Sequence, residues 1–189
     1  MMSVYSRSKK TLKAFSIPEV MLSMFVLSIG LVTIVAVMAG SLHYSYDTRD
    51  QIVAVGLAQE GVELIRNARD SGFASGAGNG FDYFSDTNKY CRAQYNSSQT
   101  SNIDCFSSPD PANRYYLQYS GGLYGHFNAT KQRYSRFIYI DYDSTNGTAV
   151  VRSFVYWGTA DIRPASGDPA TCNASPTCVY TEIFLTSWR

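Results

Sequence analysis

Val20-Met21-Leu22-Ser23-Met24-Phe25-Val26-Leu27-Ser28-Ile29-Gly30-Leu31-Val32-Thr33-Ile34-Val35-Ala36-Val37-Met38-Ala39-Gly40-Ser41-Leu42 is an apolar run whose reading decides the fold. No charged residue lies between Glu19 and Asp47, so the uncharged stretch Val20–Tyr46 is 27 residues long. Coiled as an α-helix it would measure roughly 40 Å at about 1.5 Å per residue. About 20 apolar residues already cross a bilayer, and a core helix of a globular domain would normally show a polar face. The run therefore predicts a transmembrane helix over 15–46. His43, Tyr44 and Tyr46 at its far end suit the membrane–water interface, where aromatic rings gather.

Ahead of this run, Arg7, Lys9, Lys10 and Lys13 are the only charges of a short leader, 1–14. The positive-inside rule keeps that end in the cytoplasm and sends the C-terminal region out. A secretory signal peptide also starts basic and continues apolar. Here the apolar run is too long for one, and the nearest small-residue cleavage pattern, Ala39-Gly40-Ser41, closes it poorly. Glu19 stands at the entrance of the span, where an acid is costly and is read first as a functional residue.

The stretch Lys13-Ala14-Phe15-Ser16-Ile17-Pro18-Glu19-Val20 resembles the processing site of type IV pilins and type II secretion pseudopilins. In that family a basic leader ends in a small residue and is cut by a membrane peptidase. The new N-terminal residue, usually Phe, is N-methylated, and the fifth mature residue is Glu. The resemblance implies cleavage after Ala14, methylation of Phe15, and a role for Glu19 as mature residue five. Ala14 replaces the usual Gly, and Pro18 stands where Leu is common. A proline is tolerated in a first turn because its missing N–H has no partner there anyway. Glu19 near a helix N-terminus is favoured by the macrodipole. In a filament its carboxylate would pair with a neighbouring subunit's amine, and an apolar setting makes such a pair selective for register.

Beyond Asp47, Val53, Leu57, Gly61, Leu64 and Ala68 recur at three- and four-residue steps, with Gln59, Glu63, Arg66 and Asp70 on another face. This periodicity predicts an amphipathic continuation of the same helix over 47–71, with an Arg66–Asp70 pair on its surface and a stop at Ser71-Gly72. The remainder, 72–189, reads as a loop-rich antiparallel β domain. Ser71–Gly80 is a glycine-rich loop, and Phe81–Ser120 is irregular apart from one or two short strands, Tyr115–Tyr119 among them. Phe137–Tyr142 and Ala149–Trp157, joined across Asp143–Gly147, form the clearest hairpin. Val179–Trp188 supplies a further strand. The fold class is α+β: a long N-terminal helix, membrane-embedded in its first half, packed on a C-terminal antiparallel sheet. That is also the pilin architecture.

The four cysteines, Cys91, Cys105, Cys172 and Cys178, all fall in the exported part. An even number there favours disulfides. Of three connectivities the local one, Cys91–Cys105 with Cys172–Cys178, is preferred. Free thiols and a zinc site are the alternatives, although CxxC spacing is absent and His43 and His126 are far apart.

The chain of 189 residues is 45% hydrophobic and 16% charged, with net charge +1. Such a balance argues against a disordered chain and gives no support to nucleic-acid binding. Without the four leader cations the side chains sum to −3 (+1 − 4). No GxSxG, P-loop or HExxH pattern occurs. His126 reads as a turn or surface residue, and Asp141 and Asp143 as turn caps. No metal, cofactor or enzymatic activity is expected. The resemblance implies a structural subunit, a minor pilin or pseudopilin, of a type IV pilus or type II secretion-like filament. Its partners would be a prepilin peptidase, other pilin or pseudopilin subunits, an inner-membrane assembly platform, and the lipid bilayer before assembly. It would be a single-pass cell-membrane protein, then part of a surface filament. The alternative is an uncleaved, membrane-anchored extracellular binding domain.

Overall fold

A computed structural model describes residues 16–76, 80–81, 84, 87, 89–96, 99–109, 115–126, 132–158 and 167–187. The chain forms two compact units, Met1–Tyr46 and Asp47–Arg189. Helix α1, Ile17–Ala74, supplies residues to both.

In the first unit α1 begins on Ser16, whose carbonyl accepts from the backbone N–H of Glu19 (3.0 Å) and Val20 (3.2 Å). Ser16 thus occupies the N-cap position. Pro18 is the second helical residue, where no N–H is required, and Glu19 lies in the first turn. Every residue from Ile17 to Tyr46 is exposed. The side-chain hydroxyls of Ser23, Ser28, Thr33 and Ser45 donate to the helix's own carbonyls, those of Val20, Met24, Gly30 and Ser41. By length and composition α1 can cross a membrane once.

In the second unit α1 buries Ala54, Leu57, Ala58, Gly61, Val62, Leu64, Ile65 and Ala68, including four of the five positions expected from periodicity. Val53 is half-buried. The helix ends at Ala74, three residues later than expected. Gly76 takes the left-handed conformation (φ +70°) and donates to the Phe73 carbonyl, as a C-terminal glycine does. Gly72 lies inside the helix, where a Cβ would meet the Gly80 Cα at 3.2 Å; this glycine serves close packing. The surface pairing also differs. Arg66 bonds Glu63 at 2.5 Å and Asp70 bonds Arg69 at 2.7 Å.

Among the described residues the sheet has seven strands: β1 Tyr90–Asn96, β2 Gln99–Phe106, β3 Tyr116–Ser120, β4 Leu123–Gly125, β5 Tyr134–Asp143, β6 Thr148–Trp157 and β7 Cys178–Thr186. All neighbours are antiparallel. β5 is central. One edge pairs along its full length with β6, which pairs in turn with β7. The other edge is shared: β3 pairs with Tyr134 and Ser135, and β1 with Ile138 and Tyr139. Strands β3, β5, β6 and β7 fall where the sequence places strands, β5 starting three residues earlier. The β1–β2 hairpin is more regular than its polar sequence suggests, and a short helix α2, Pro169–Asn173, precedes β7. Asp168 caps α2 by accepting from the Ala170 N–H.

Strand alternation gives the sheet two apolar faces. Toward α1 point Leu117, Ile138, Ile140, Ala149, Val151, Val155, Trp157 and Leu185, packed with Leu57, Ala58, Leu64 and Ile65. The reverse face carries Tyr115, Phe137 and Phe154 with Cys172 of α2. There Phe137 stacks on Phe154 at 4.8 Å and Phe154 on Tyr180 at 5.6 Å.

Candidate functional site

Two features are candidates: the apolar shaft with its single acid, and the polar anchors that fix α1 to the sheet. In the shaft, Glu19 is exposed in the first turn and is the only charged residue between Ser16 and Tyr46. The leader lysines Lys9, Lys10 and Lys13, with Ala14 and Phe15, lie outside the described residues. The surface of the shaft is Leu, Val, Ile, Met and Phe at roughly 40–80% exposure. Such a surface must be covered by lipid or protein, because a continuous apolar area of this length is not left in water.

The anchors begin at Asp50. Its carboxylate is buried (8% exposed) and accepts from Arg133 Nε at 3.0 Å, from a second guanidinium nitrogen of Arg133, and from the Tyr134 hydroxyl at 2.9 Å. Hydrogen bonds from Arg133, opposed by burial, hold the Asp50 carboxyl below its ordinary range. The reverse pressure falls on Tyr134, whose hydroxyl is pushed up to about 12 by burial and by the neighbouring carboxylate.

Arg136 is the second anchor, and it is fully buried. One terminal nitrogen donates to the Leu57 carbonyl of α1 at 3.0 Å, and the other to the Ala93 carbonyl of β1 at 2.7 Å. Glu60 Oε1 lies 3.2 Å away. Burial pushes the guanidinium below its usual value, and Glu60 partly offsets that. A large cation fits under the helix because Gly61 has no side chain: a Cβ there would lie 2.9 Å from Arg136 Cδ and 2.4 Å from Ser153 Oγ. Arg136 Nε and Ser153 Oγ have no hydrogen-bond partner among the described residues. Gly61 stands on the helix face that periodicity marks as apolar, whereas Asp50, Arg133, Tyr134, Arg136 and Ser153 are residues that sequence reasoning missed. The available signal was a pair of polar residues, Ser135-Arg136, inside an otherwise apolar strand pattern.

Both disulfides form with the local connectivity: Cys91–Cys105 and Cys172–Cys178. The first joins residues directly opposite in the β1–β2 register; the second ties α2 to the start of β7. Other polar residues have structural partners. His126 Nδ1 lies 3.2 Å from the Tyr116 carbonyl, and its backbone N–H donates to Gln94. Asp143 accepts from the Thr145 and Asn146 N–H groups, as a turn acid should, and these bonds lower its carboxyl. Asp141 does not cap; it pairs with Lys89 at 2.5 Å. Among the described residues no three His, Cys, Asp or Glu side chains converge as a metal-binding set.

No protein-family model, curated protein or solved structure matches the chain at a significant level.

Proposed function

We propose that the chain is a filament subunit of the minor pilin or pseudopilin type, cut after Ala14, methylated on Phe15 and assembled through the first half of α1. The observation that carries this reading is the division of labour within one 58-residue helix. Its first half is apolar and exposed all round, with a lone acid in the first turn; its second half is the spine of an antiparallel β domain. A membrane anchor alone needs the apolar half but has no use for an acid at its cytoplasmic end. In a packed filament that acid has a partner, the amine that cleavage releases. The basic leader and Ala14-Phe15 supply the substrate pattern of a prepilin peptidase, and the apolar half would sit in the bilayer until an inner-membrane assembly platform extracts it.

The test is the mass of the N-terminal peptide of protein purified from cells with an active prepilin peptidase. The expected peptide starts at N-methylated Phe15. An intact N-terminus at Met1 would remove this reading and favour the second one, an uncleaved single-pass anchor carrying an extracellular binding domain.

A further inference from the structure

Strand β7 ends the sheet on one side, and all nine of its residues, Cys178–Thr186, pair with β6 without a shift of register. Two bonds at its ends fix which backbone groups face outward. The Trp157 N–H donates to the Thr177 carbonyl at 3.1 Å, and the Ser187 N–H to the Gly147 carbonyl at 2.8 Å. Bonded and unbonded residues alternate along an antiparallel ladder. The odd-numbered residues of β7 therefore bond β6, and the even-numbered ones turn N–H and C=O away from it. In keeping with this, the Thr186 carbonyl accepts from Arg69 at 3.3 Å. Between that carbonyl and the Cys172–Cys178 disulfide, Tyr180, Glu182 and Phe184 present their main-chain groups at the edge. Among the described residues no strand pairs with them.

The other edges are blunted by devices common in natural sheets. β4 has three residues, and the β1–β2 ladder shifts register between Gln94 and Asn96. β7 has no proline, lysine, arginine or bulge. Its single charge, Glu182, is answered by Arg152 of β6. On either side of Glu182 the outward residues are aromatic. Phe184 is 64% exposed, and Tyr180 is 36% exposed and held in place by its stack on Phe154.

We propose that β7 is a strand-pairing edge whose occupant is β7 of a second copy, joined antiparallel about a two-fold axis at Glu182. An unprotected edge recruits a strand through main-chain bonds, and the side chains decide which strand fits. Turned about Glu182, this edge is its own complement. Tyr180 of each copy meets Phe184 of the other as a cross-strand aromatic pair. The outward N–H and C=O groups of 180, 182 and 184 all find partners. The two Glu182 carboxylates stand opposite each other, each beside its own Arg152, so neither charge is left unanswered. The contact is isologous and draws on the second unit alone. It depends neither on cleavage after Ala14 nor on assembly through α1. With three outward residues a side it falls short of a standard interface, so association is expected only in concentrated protein.

Amide hydrogen exchange of the full-length protein in detergent micelles, read residue by residue by NMR in dilute and in concentrated samples, tests this, with particle mass followed by light scattering. In concentrated protein the amides of Tyr180, Glu182 and Phe184 should exchange several-fold more slowly as the mass rises, while those of Val179, Thr181 and Ile183 stay unchanged. Phe184→Pro removes one outward N–H and leaves the β6 ladder intact; it should abolish the slowing at 180 and 182. If that variant does not fold, the concentration series on the unaltered chain decides. A rise in mass with no slowing at the three amides would show that copies meet elsewhere and would overturn the proposal. Slow exchange at these amides in dilute protein would mean that the chain covers its own edge, and would overturn it as well.

Discussion

Gly56 and Gly61 lie five residues apart on α1, and replacing each with alanine should move stability in opposite directions. In a helix interior, Gly→Ala ordinarily gains about 0.5–1 kcal/mol by reducing the freedom of the unfolded chain. At Gly56 nothing lies within 4 Å of the new methyl, so that gain should stand. At Gly61 the methyl would fall 2.4 Å from Ser153 Oγ and 2.9 Å from Arg136 Cδ. Both neighbours are fully buried, so they cannot swing into solvent. Either β6 moves away from the helix or the guanidinium leaves the Leu57 and Ala93 carbonyls. Overpacking of this kind costs about 1–3 kcal/mol, and a displaced Arg136 would add a buried cation with broken bonds. The net loss for Gly61→Ala is therefore about 1–3 kcal/mol. For a domain of this size, that lowers Tm by roughly 3–10 °C, while Gly56→Ala raises it by roughly 2–4 °C. Thermal unfolding of the full-length protein in detergent, followed by near-ultraviolet circular dichroism, reads both. Adding Ser153→Gly to Gly61→Ala removes the closest contact and should recover part of the loss. A Gly61→Ala protein as stable as the wild type would refute the argument that the missing side chain makes room for Arg136.

Asp50→Asn should destabilise the domain by about 1–3 kcal/mol at pH 7, since it removes the charge from three hydrogen bonds. Because the Asp50 carboxyl is held below its ordinary value of 3.8, its contribution is complete above about pH 5 and is lost as pH falls through the folded value; urea titrations from pH 7 to pH 3 should show a smaller pH dependence in the variant. Removing Cys91–Cys105, which closes 14 residues, should cost about 3 kcal/mol, and removing Cys172–Cys178, which closes 6, about 2 kcal/mol; unreduced peptide maps check the pairing and denaturant titrations the ranking. Glu19→Ala should leave cleavage after Ala14 intact and reduce recovery of the subunit in sheared filaments. Normal incorporation of that variant would deny Glu19 its assembly role.

The parts of the fold legible in the sequence were those whose signal is local. The apolar run, the three- and four-residue spacing from Leu57 to Ala68, and the Asn146-Gly147 turn between two β-branched runs each carry their own geometry. The β1–β2 hairpin was obscured because Arg92, Gln94, Asn102 and Asp104 look like loop residues; its coherence comes from a register that sets Cys91 against Cys105. β4 went unread: Gly121-Gly122 before it is a two-residue hairpin signal that sequence reasoning missed, and its three residues are too short for alternation to register. Arg136 was the hardest to foresee. The aromatic and β-branched run begins at Phe137, one residue after it, and a charge inside a buried strand is uncommon. Its partners Leu57, Glu60 and Ala93 lie more than forty positions away, so nothing nearby in the chain shows that the charge is answered. Of the residues in the processing-site resemblance, Ala14 and Phe15 lie outside the described residues, and Glu19 lies in the first turn of α1.

The hydroxyls of Ser23, Ser28 and Thr33, each closed onto a carbonyl of the same helix, bear on traffic in and out of the membrane. A hydroxyl that finds its partner within its own turn asks nothing of its surroundings. Under the filament reading, such a helix would exchange a coat of acyl chains for a coat of neighbouring helices without breaking any of these hydroxyl bonds. In the proposed filament, the choice between the two coats would then be left to van der Waals fit and to the single carboxylate of Glu19.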